Sequence, residues 1–131
     1  MNTHQHEKAV VLVVDDEVLV RMVAVSLLED AGLEAIEAGD AEEALALLEE
    51  HPEIDILFTD INMPGAFDGL VLARKVRERR PDVQIIVTSG RVQLTKSELP
   101  AHGAFLAKPY GCDAMLSLIG RPGLNARRSV Q

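Results

Sequence analysis

The chain has 131 residues and a formal net charge of −8, and 47% of its residues are hydrophobic and 26% are charged. This length and composition are typical of one globular domain that buries its own core without metal or disulfide cross-links. The early apolar run over residues 9–14 is too short to cross a bilayer, which takes about 20 residues. The only cysteine, Cys112, excludes an intrachain disulfide and favours a reducing, cytoplasmic setting.

The acidic charge argues against a nucleic-acid partner, and the lack of a long apolar run argues against a membrane partner. An acidic chain repels phosphate backbones, and with 3% aromatic residues and no tryptophan it offers few platforms for base stacking. Five basic residues do cluster before Pro81, where a predicted helix ends and cations interact favourably with the helix dipole. We favour this interpretation over a nucleic-acid patch. The cluster consists of Arg74, Lys75, Arg77, Arg79 and Arg80.

Strand patterns alternate with helix patterns along the chain. Short, almost continuous apolar runs predict strands that are buried on both faces, as in a parallel sheet. Such runs lie at 10–14, 54–58, 83–87 and 104–107. Residues 33–38 include Glu34 and Glu37 and are therefore predicted as an edge strand.

Apolar residues at a period of 3.6 predict helices between the strands. Gly32 is expected to end the first helix as its C-terminal cap, and the apolar face of that helix is Val20, Val23, Ala24, Leu27 and Ala31. Asp40, with Glu43 three residues later, resembles a capping box for the second helix. Asp68 is expected to cap the third. Two further helices are predicted at 92–99, where the pattern is weak, and at 112–119.

Five strand–helix units of this kind predict one α/β domain with a doubly wound parallel sheet. The five-stranded version of this architecture usually has the strand order 2-1-3-4-5. Its ligands bind at the carboxyl ends of the strands, near the switch between strands 1 and 3. The residues that follow the strands are therefore the candidates for a functional site.

Three acidic residues are expected to meet at this edge of the sheet. Asp15 and Asp16 follow the first strand and Asp60 follows the third. Taken singly, each could cap a helix or start a turn. Together, three carboxylates repel one another and are costly unless a cation joins them. Mg²⁺ prefers such hard oxygen ligands, together with water and phosphate oxygens, so the set predicts a magnesium site.

A hydroxyl and an amine are expected at the same edge. Thr88, with Ser89 and Gly90, follows the fourth strand, and Lys108 follows the fifth. Taken singly, the first would be a turn and the second a surface lysine. Facing a metal ion, they can hold phosphoryl oxygens. The assembly predicts a phosphoryl-transfer site with a potential nucleophile on the protein.

Short motifs stand at these strand ends in a characteristic order: Val13-Val14-Asp15-Asp16-Glu17, Thr59-Asp60-Ile61-Asn62-Met63-Pro64, Asp68-Gly69, Thr88-Ser89-Gly90 and Lys108-Pro109-Tyr110. With them, the chain resembles the receiver domain of two-component response regulators, which has a flavodoxin-like fold. The resemblance covers residues 8–120. Residues 1–7 are predicted to be a disordered lead-in and 121–131 a flexible tail, so we expect a stand-alone receiver without an output domain.

The resemblance implies an acceptor and a metal site. Asp60 matches the aspartate that accepts a phosphoryl group from a phosphohistidine on a sensor histidine kinase or histidine phosphotransfer protein. Asp16 and Asp60 would bind Mg²⁺ directly, together with the backbone carbonyl of Asn62. Asp15 would help to bind the ion through water.

The resemblance also implies a switch. Lys108 would pair with a phosphoryl oxygen, and Thr88 would move to bond another. Phe105 matches the aromatic position that turns inward when the threonine moves. The Lys108–Pro109 peptide bond is expected to be cis, so that Pro109 shapes its loop. A receiver of this kind is a signalling domain that assists only its own phosphorylation and dephosphorylation.

Two departures from the family and two other functions stay open at this point. One extra residue lies between Pro64 and Gly69, and the segment from Thr88 to Lys108 is shorter than usual, which leaves the order of the helix at 92–99 open.

The output would be contact with another protein or onward phosphorelay. A phosphorylation-independent adaptor is the first alternative. A phosphatase of the haloacid-dehalogenase type is remote, because it needs an aspartate where this chain has Asn62.

Overall fold

The computed structural model describes residues 8–63, 65, 68–90, 99 and 103–119. Its strands are β1 (Val10–Val14), β2 (Glu34–Ala38), β3 (Ile56–Asp60), β4 (Gln84–Ser89) and β5 (Gly103–Ala107). They form one parallel sheet in the order β2-β1-β3-β4-β5, which confirms the predicted doubly wound α/β fold. The predicted lead-in at 1–7, the tail at 121–131 and, apart from Leu99, the predicted helix at 92–99 lie outside the described residues.

Helices cover both faces of the sheet. In the described part of the chain they are α1 (Val18–Asp30), α2 (Ala41–Glu50), α3 (Gly69–Arg79) and α4 (residues 112–119). One core lies beneath α2 and α3 and includes Leu48 and Leu72, and the other lies beneath α1 and α4 and includes Leu28 and Met115. Alternate residues of β1 point into the two cores, which explains its unbroken apolar run. Over the described ranges, each helix is too short or too polar to span a bilayer.

The predicted apolar face of α1 is partly wrong. The helix buries Ala24 and Leu28, whereas Val23 is 60% exposed and Ala31 is also exposed. Apolar residues occur on every side of α1, so periodicity alone does not choose the face that packs on the sheet. The result is an exposed group of apolar side chains near the amino end of the helix, here called the α1 apolar patch. It consists of Val18, Leu19, Met22 and Val23.

The predicted caps are present at the starts of α2 and α3. The Asp40 carboxylate accepts a hydrogen bond from the Glu43 amide at 2.8 Å, and the Asp68 carboxylate accepts from the first amides of α3. The Glu43 side chain accepts from the Gly39 amide, one residue before the one that a capping box would use. These bonds satisfy amides that the first turn of a helix leaves unpaired.

Two arginines of the basic cluster bind the chain's own backbone. Arg77 Nη1 donates to the carbonyls of Pro81 and Val83, and Arg80 Nη2 donates to the carbonyls of Pro52 and Ile54. These bonds tie the end of α3 to the segments that lead into β3 and β4. They support the helix-end interpretation of the cluster.

Candidate phosphoryl-acceptor site

Three carboxylates meet at the carboxyl edge of the sheet. Asp15 directly follows β1, Asp16 is the next residue, and Asp60 ends β3, the neighbour of β1. One carboxylate oxygen from each residue lies within 4.8 Å of the other two. Asp15 and Asp60 are 4% and 5% exposed, whereas Asp16 is exposed. The adjacency of β1 and β3 brings these residues together at the switch point, where the fold rule expects a ligand.

Lys108 approaches the carboxylates from the end of β5. Its Nζ lies 3.3 Å from Asp15 Oδ2 and 3.5 Å from Asp60 Oδ1. Its amide donates to the Ser89 carbonyl at 3.0 Å, and the peptide bond to Pro109 is cis, as expected. One ammonium balances one of the three carboxylates, so the group keeps a net negative charge. Clustered carboxylate oxygens of this kind fit a hard divalent cation such as Mg²⁺.

The surroundings of the Asp60 carboxyl group shift its pKa in opposing directions. Burial raises its pKa above the usual range, the Lys108 charge offsets part of that rise, and the Asp15 charge adds to it. Hydrogen bonds from Lys108 and from the Asn62 backbone also lower the pKa. A partly desolvated carboxylate that is held in place by such donors is suited to act as a nucleophile.

Thr88 stands opposite Asp60 in the register of β3 and β4. It is 2% exposed, and its Oγ1 has no hydrogen-bond partner among the described residues. A buried hydroxyl without a partner is uncommon, and this one can donate to a group that arrives at Asp60. Beside it, the Asn62 side chain donates to Ser89 Oγ at 3.2 Å. Phe105 on β5 is half-buried against the core beneath α2 and α3.

Gly69 is buried at the start of α3, and its close approach to the strand that carries Asp60 is not predictable from the sequence. The Gly69 amide donates to the Ile61 carbonyl at 2.9 Å. A Cβ at position 69 would overlap the backbone carbonyl of Asp60. Glycine therefore lets α3 begin directly against the strand end that carries Asp60.

Two further side chains near the carboxylates were not identified as site residues from the sequence. The ring of Tyr110 meets that of Phe58 edge to face, with centroids 5.6 Å apart. Burial raises the pKa of Tyr110 to about 12, and the charges of Asp15 and Asp60 act in the same direction, so the phenol stays neutral. Arg21 Nη1 donates to the Asp15 carbonyl at 2.7 Å. Arg21 lies within α1 and not at a strand end, so the strand-end rule did not point to it.

A family model described as the response regulator receiver domain matches residues 11–119. The chain belongs to this family. Receivers are signalling domains of two-component systems, and the matched range contains the three carboxylates, Thr88 and Lys108.

Similar receivers occur in proteins of different lengths. This receiver is 36% identical over 115 residues to the sensor kinase CckA of Brucella abortus, a match that covers 85% of this chain but only 12% of the kinase. A response regulator receiver protein from Sinorhizobium medicae has 30% identity and a TM-score of 0.83, over 92% of this chain and 98% of that one. The CheX-CheY-BeF3-Mg²⁺ complex of Borrelia burgdorferi matches with 32% identity and a TM-score of 0.75, over 85% of this chain and 86% of that one. A stand-alone arrangement of this receiver stays a prediction.

The raised pKa of Asp60 predicts a pH dependence of stability. A carboxyl whose pKa is higher in the folded state than its ordinary value of 3.8 holds its proton more tightly when folded. Its contribution to stability is therefore present below pH 3.8 and is lost as the pH rises through the folded pKa. Without Mg²⁺, Asp60→Asn should melt above the wild type at pH 7, and the difference should shrink towards pH 4.

Thermal melts of the two proteins in EDTA across this pH range measure the effect. Saturating Mg²⁺ serves as the control, because a bound cation stabilises the ionised carboxylate and should reduce or reverse the difference at pH 7. A variant that melts at or below the wild type at pH 7 in EDTA would show that burial of the Asp60 charge carries no net cost.

Proposed function

We propose that this receiver accepts a phosphoryl group on Asp60 from a phosphohistidine of a histidine kinase or histidine phosphotransfer protein, in a Mg²⁺-dependent reaction. The observation that carries the proposal is the buried Asp60 carboxylate, 3.5 Å from Lys108 Nζ and grouped with Asp15 and Asp16. An anionic nucleophile, a neighbouring cation and a set of metal ligands are the components that phosphoryl transfer to a carboxylate requires.

The proposed step forms one bond and breaks one. A carboxylate oxygen of Asp60 attacks phosphorus, the P–N bond of the phosphohistidine breaks, and its electron pair returns to the imidazole nitrogen. Mg²⁺, when bound, supplies positive charge to the carboxylates and the phosphoryl oxygens. Asp16, Asp60 and the Asn62 carbonyl would hold the ion directly and Asp15 through water. Lys108 would pair with a phosphoryl oxygen as the acyl phosphate forms.

We infer that the output of the receiver passes through Thr88 and Phe105. Among the described residues the Thr88 hydroxyl has no hydrogen-bond partner, so it is available to donate to a phosphoryl oxygen on Asp60. Its movement would open space for the half-buried ring of Phe105, so a local charge would become a change in packing. Beryllofluoride with Mg²⁺, which mimics the phosphoryl group, should shift backbone amide signals over residues 103–110. Shifts confined to the loops after Asp16 and Asp60 would contradict this output.

The α1 apolar patch supports a protein as the phosphodonor. Val18, Leu19, Met22 and Val23 are between 54% and 76% exposed and begin two residues after Asp16. Exposed apolar groups of this kind commonly mark contacts with other proteins. A donor that seats on the patch would stand beside the acceptor. We also propose a cytoplasmic location, which agrees with a single, unpaired cysteine.

Incubation with acetyl phosphate tests the proposed function without a partner protein. The wild type with Mg²⁺ should gain one phosphoryl group by intact-mass spectrometry, and EDTA should prevent the gain. A receiver that stays unmodified at saturating Mg²⁺ and acetyl phosphate would favour the phosphorylation-independent adaptor.

A further inference from the structure

Arg21 on α1 makes two hydrogen bonds next to the three clustered aspartates Asp15, Asp16 and Asp60. Its Nη1 donates to the backbone carbonyl of Asp15 at 2.7 Å, and its Nε donates to Glu37 Oε1 at 2.9 Å. The side chain is only 17% exposed, although arginine normally extends into water. These bonds connect three elements, because Asp15 follows β1 and Glu37 lies on β2.

The loop that follows β1 also carries Asp16, the most exposed of the three clustered aspartates. Asp16 lies between Asp15 and Glu17, and the described residues provide no hydrogen bond or ion pair to its carboxylate. Its position therefore depends on the backbone on either side. The Asp15 amide donates to the Ala38 carbonyl at 3.2 Å, and the Glu17 amide donates to Asp15 Oδ1 at 2.9 Å. The bond from Arg21 is the shortest of the bonds that hold this loop.

We propose that Arg21 is a positioning residue for Mg²⁺ binding: its bond to the Asp15 carbonyl orients the peptide that leads to Asp16. This inference rests on the proposed function, since it assumes that the carboxylates bind the ion. Among the described residues, the hydrogen bonds of Arg21 go to the Asp15 backbone carbonyl and to Glu37, so it would act on the ion only through the loop. Without it, Mg²⁺ would have to order the loop during binding, and that entropic cost weakens affinity.

Charge alone predicts the opposite result. Arg21 is a cation close to a cation site, so its removal should strengthen Mg²⁺ binding by Coulomb attraction. If charge alone mattered, Arg21→Lys should leave the Mg²⁺ affinity almost unchanged, because the positive charge is kept. Positioning predicts weaker binding in both variants, since a lysine ammonium cannot reproduce the two directed bonds of the guanidinium.

Isothermal titration with MgCl₂ well below the melting temperature measures the affinity. We expect Arg21→Ala to weaken binding about tenfold, the usual effect of losing a group behind a metal ligand, and Arg21→Lys to weaken it by a smaller factor. Metal-free Arg21→Lys should also exchange the Glu17 amide hydrogen faster than the wild type.

Arg80 provides a matched control at the opposite end of the sheet. Its guanidinium likewise binds backbone carbonyls, those of Pro52 and Ile54, and a carboxylate, that of Asp82. Arg80→Ala should lower the melting temperature and leave Mg²⁺ affinity unchanged. The comparison separates positioning from a general loss of stability.

Unchanged or tighter Mg²⁺ binding in both Arg21 variants, with normal binding in the wild type, would overturn the positioning role and leave the proposed function standing. If Arg21→Ala does not fold, the Mg²⁺ affinity of Arg21→Lys relative to the wild type tests the positioning role. A wild type that binds no Mg²⁺ would overturn both.

Discussion

Replacement of Asp60 by asparagine is expected to abolish phosphorylation of this receiver by acetyl phosphate. The proposed acceptor is a carboxylate oxygen, and an amide at the same position lacks the negative charge needed to attack phosphorus. Intact-mass spectrometry should show one added phosphoryl group on the wild type in Mg²⁺ and none on Asp60→Asn. The variant should remain folded, because it removes a buried charge whose pKa burial has raised.

Asp68→Asn provides the matched control for this experiment. Asp68 is exposed and caps α3 through the amides of Leu70 and Val71, and asparagine is a comparable cap. This variant should gain the phosphoryl group as the wild type does. A phosphoryl group that persists on Asp60→Asn would identify a different acceptor, and loss in both variants would show that the effect is not specific to Asp60.

Millimolar Mg²⁺ is expected to raise the free energy of unfolding of the unphosphorylated receiver by about 1–3 kcal/mol, when the ion is well above its dissociation constant. The gain arises because the ion relieves repulsion among carboxylate oxygens that folding holds within 4.8 Å of one another. Asp16→Asn should remove most of the gain. Since Asp16 is exposed, this variant should keep the fold.

Thermal or urea unfolding with and without Mg²⁺ measures this difference. NaCl at equal ionic strength is the control, because simple screening would stabilise both proteins alike. An unchanged wild-type unfolding curve at high Mg²⁺ would contradict the metal site. If Mg²⁺ stabilises Asp16→Asn as much as the wild type, the stabilising ion binds at a different site on the protein.

The strand order and the clustering of Asp15, Asp16 and Asp60 were predictable from local patterns. β1 consists of apolar residues that end abruptly at Asp15 and Asp16, and β3 ends at Asp60. A parallel sheet with right-handed connections leaves few arrangements for such strands. Residues at the ends of β1 and β3 must then meet, however far apart they are in sequence.

The detailed contacts were not predictable in this way. Lys108 Nζ meets Asp15 Oδ2 across 93 residues of sequence, and its distance depends on how β5 pairs with β4. The close approach at Gly69 depends equally on where α3 begins relative to the end of β3. Side-chain type indicates that such contacts are chemically possible, but not which atoms lie within reach.

The sequence by itself determined the fold class, the strand order and the residues at the carboxyl edge, because these depend on burial patterns and on the general handedness of strand connections. The tertiary structure alone decided that α1 packs through Ala24 and Leu28 and leaves Leu19 exposed. It also decided that Arg21 binds the Asp15 carbonyl. Both depend on the rotation of α1 about its axis, and a helix that is apolar on every side does not specify that rotation until it packs on the sheet.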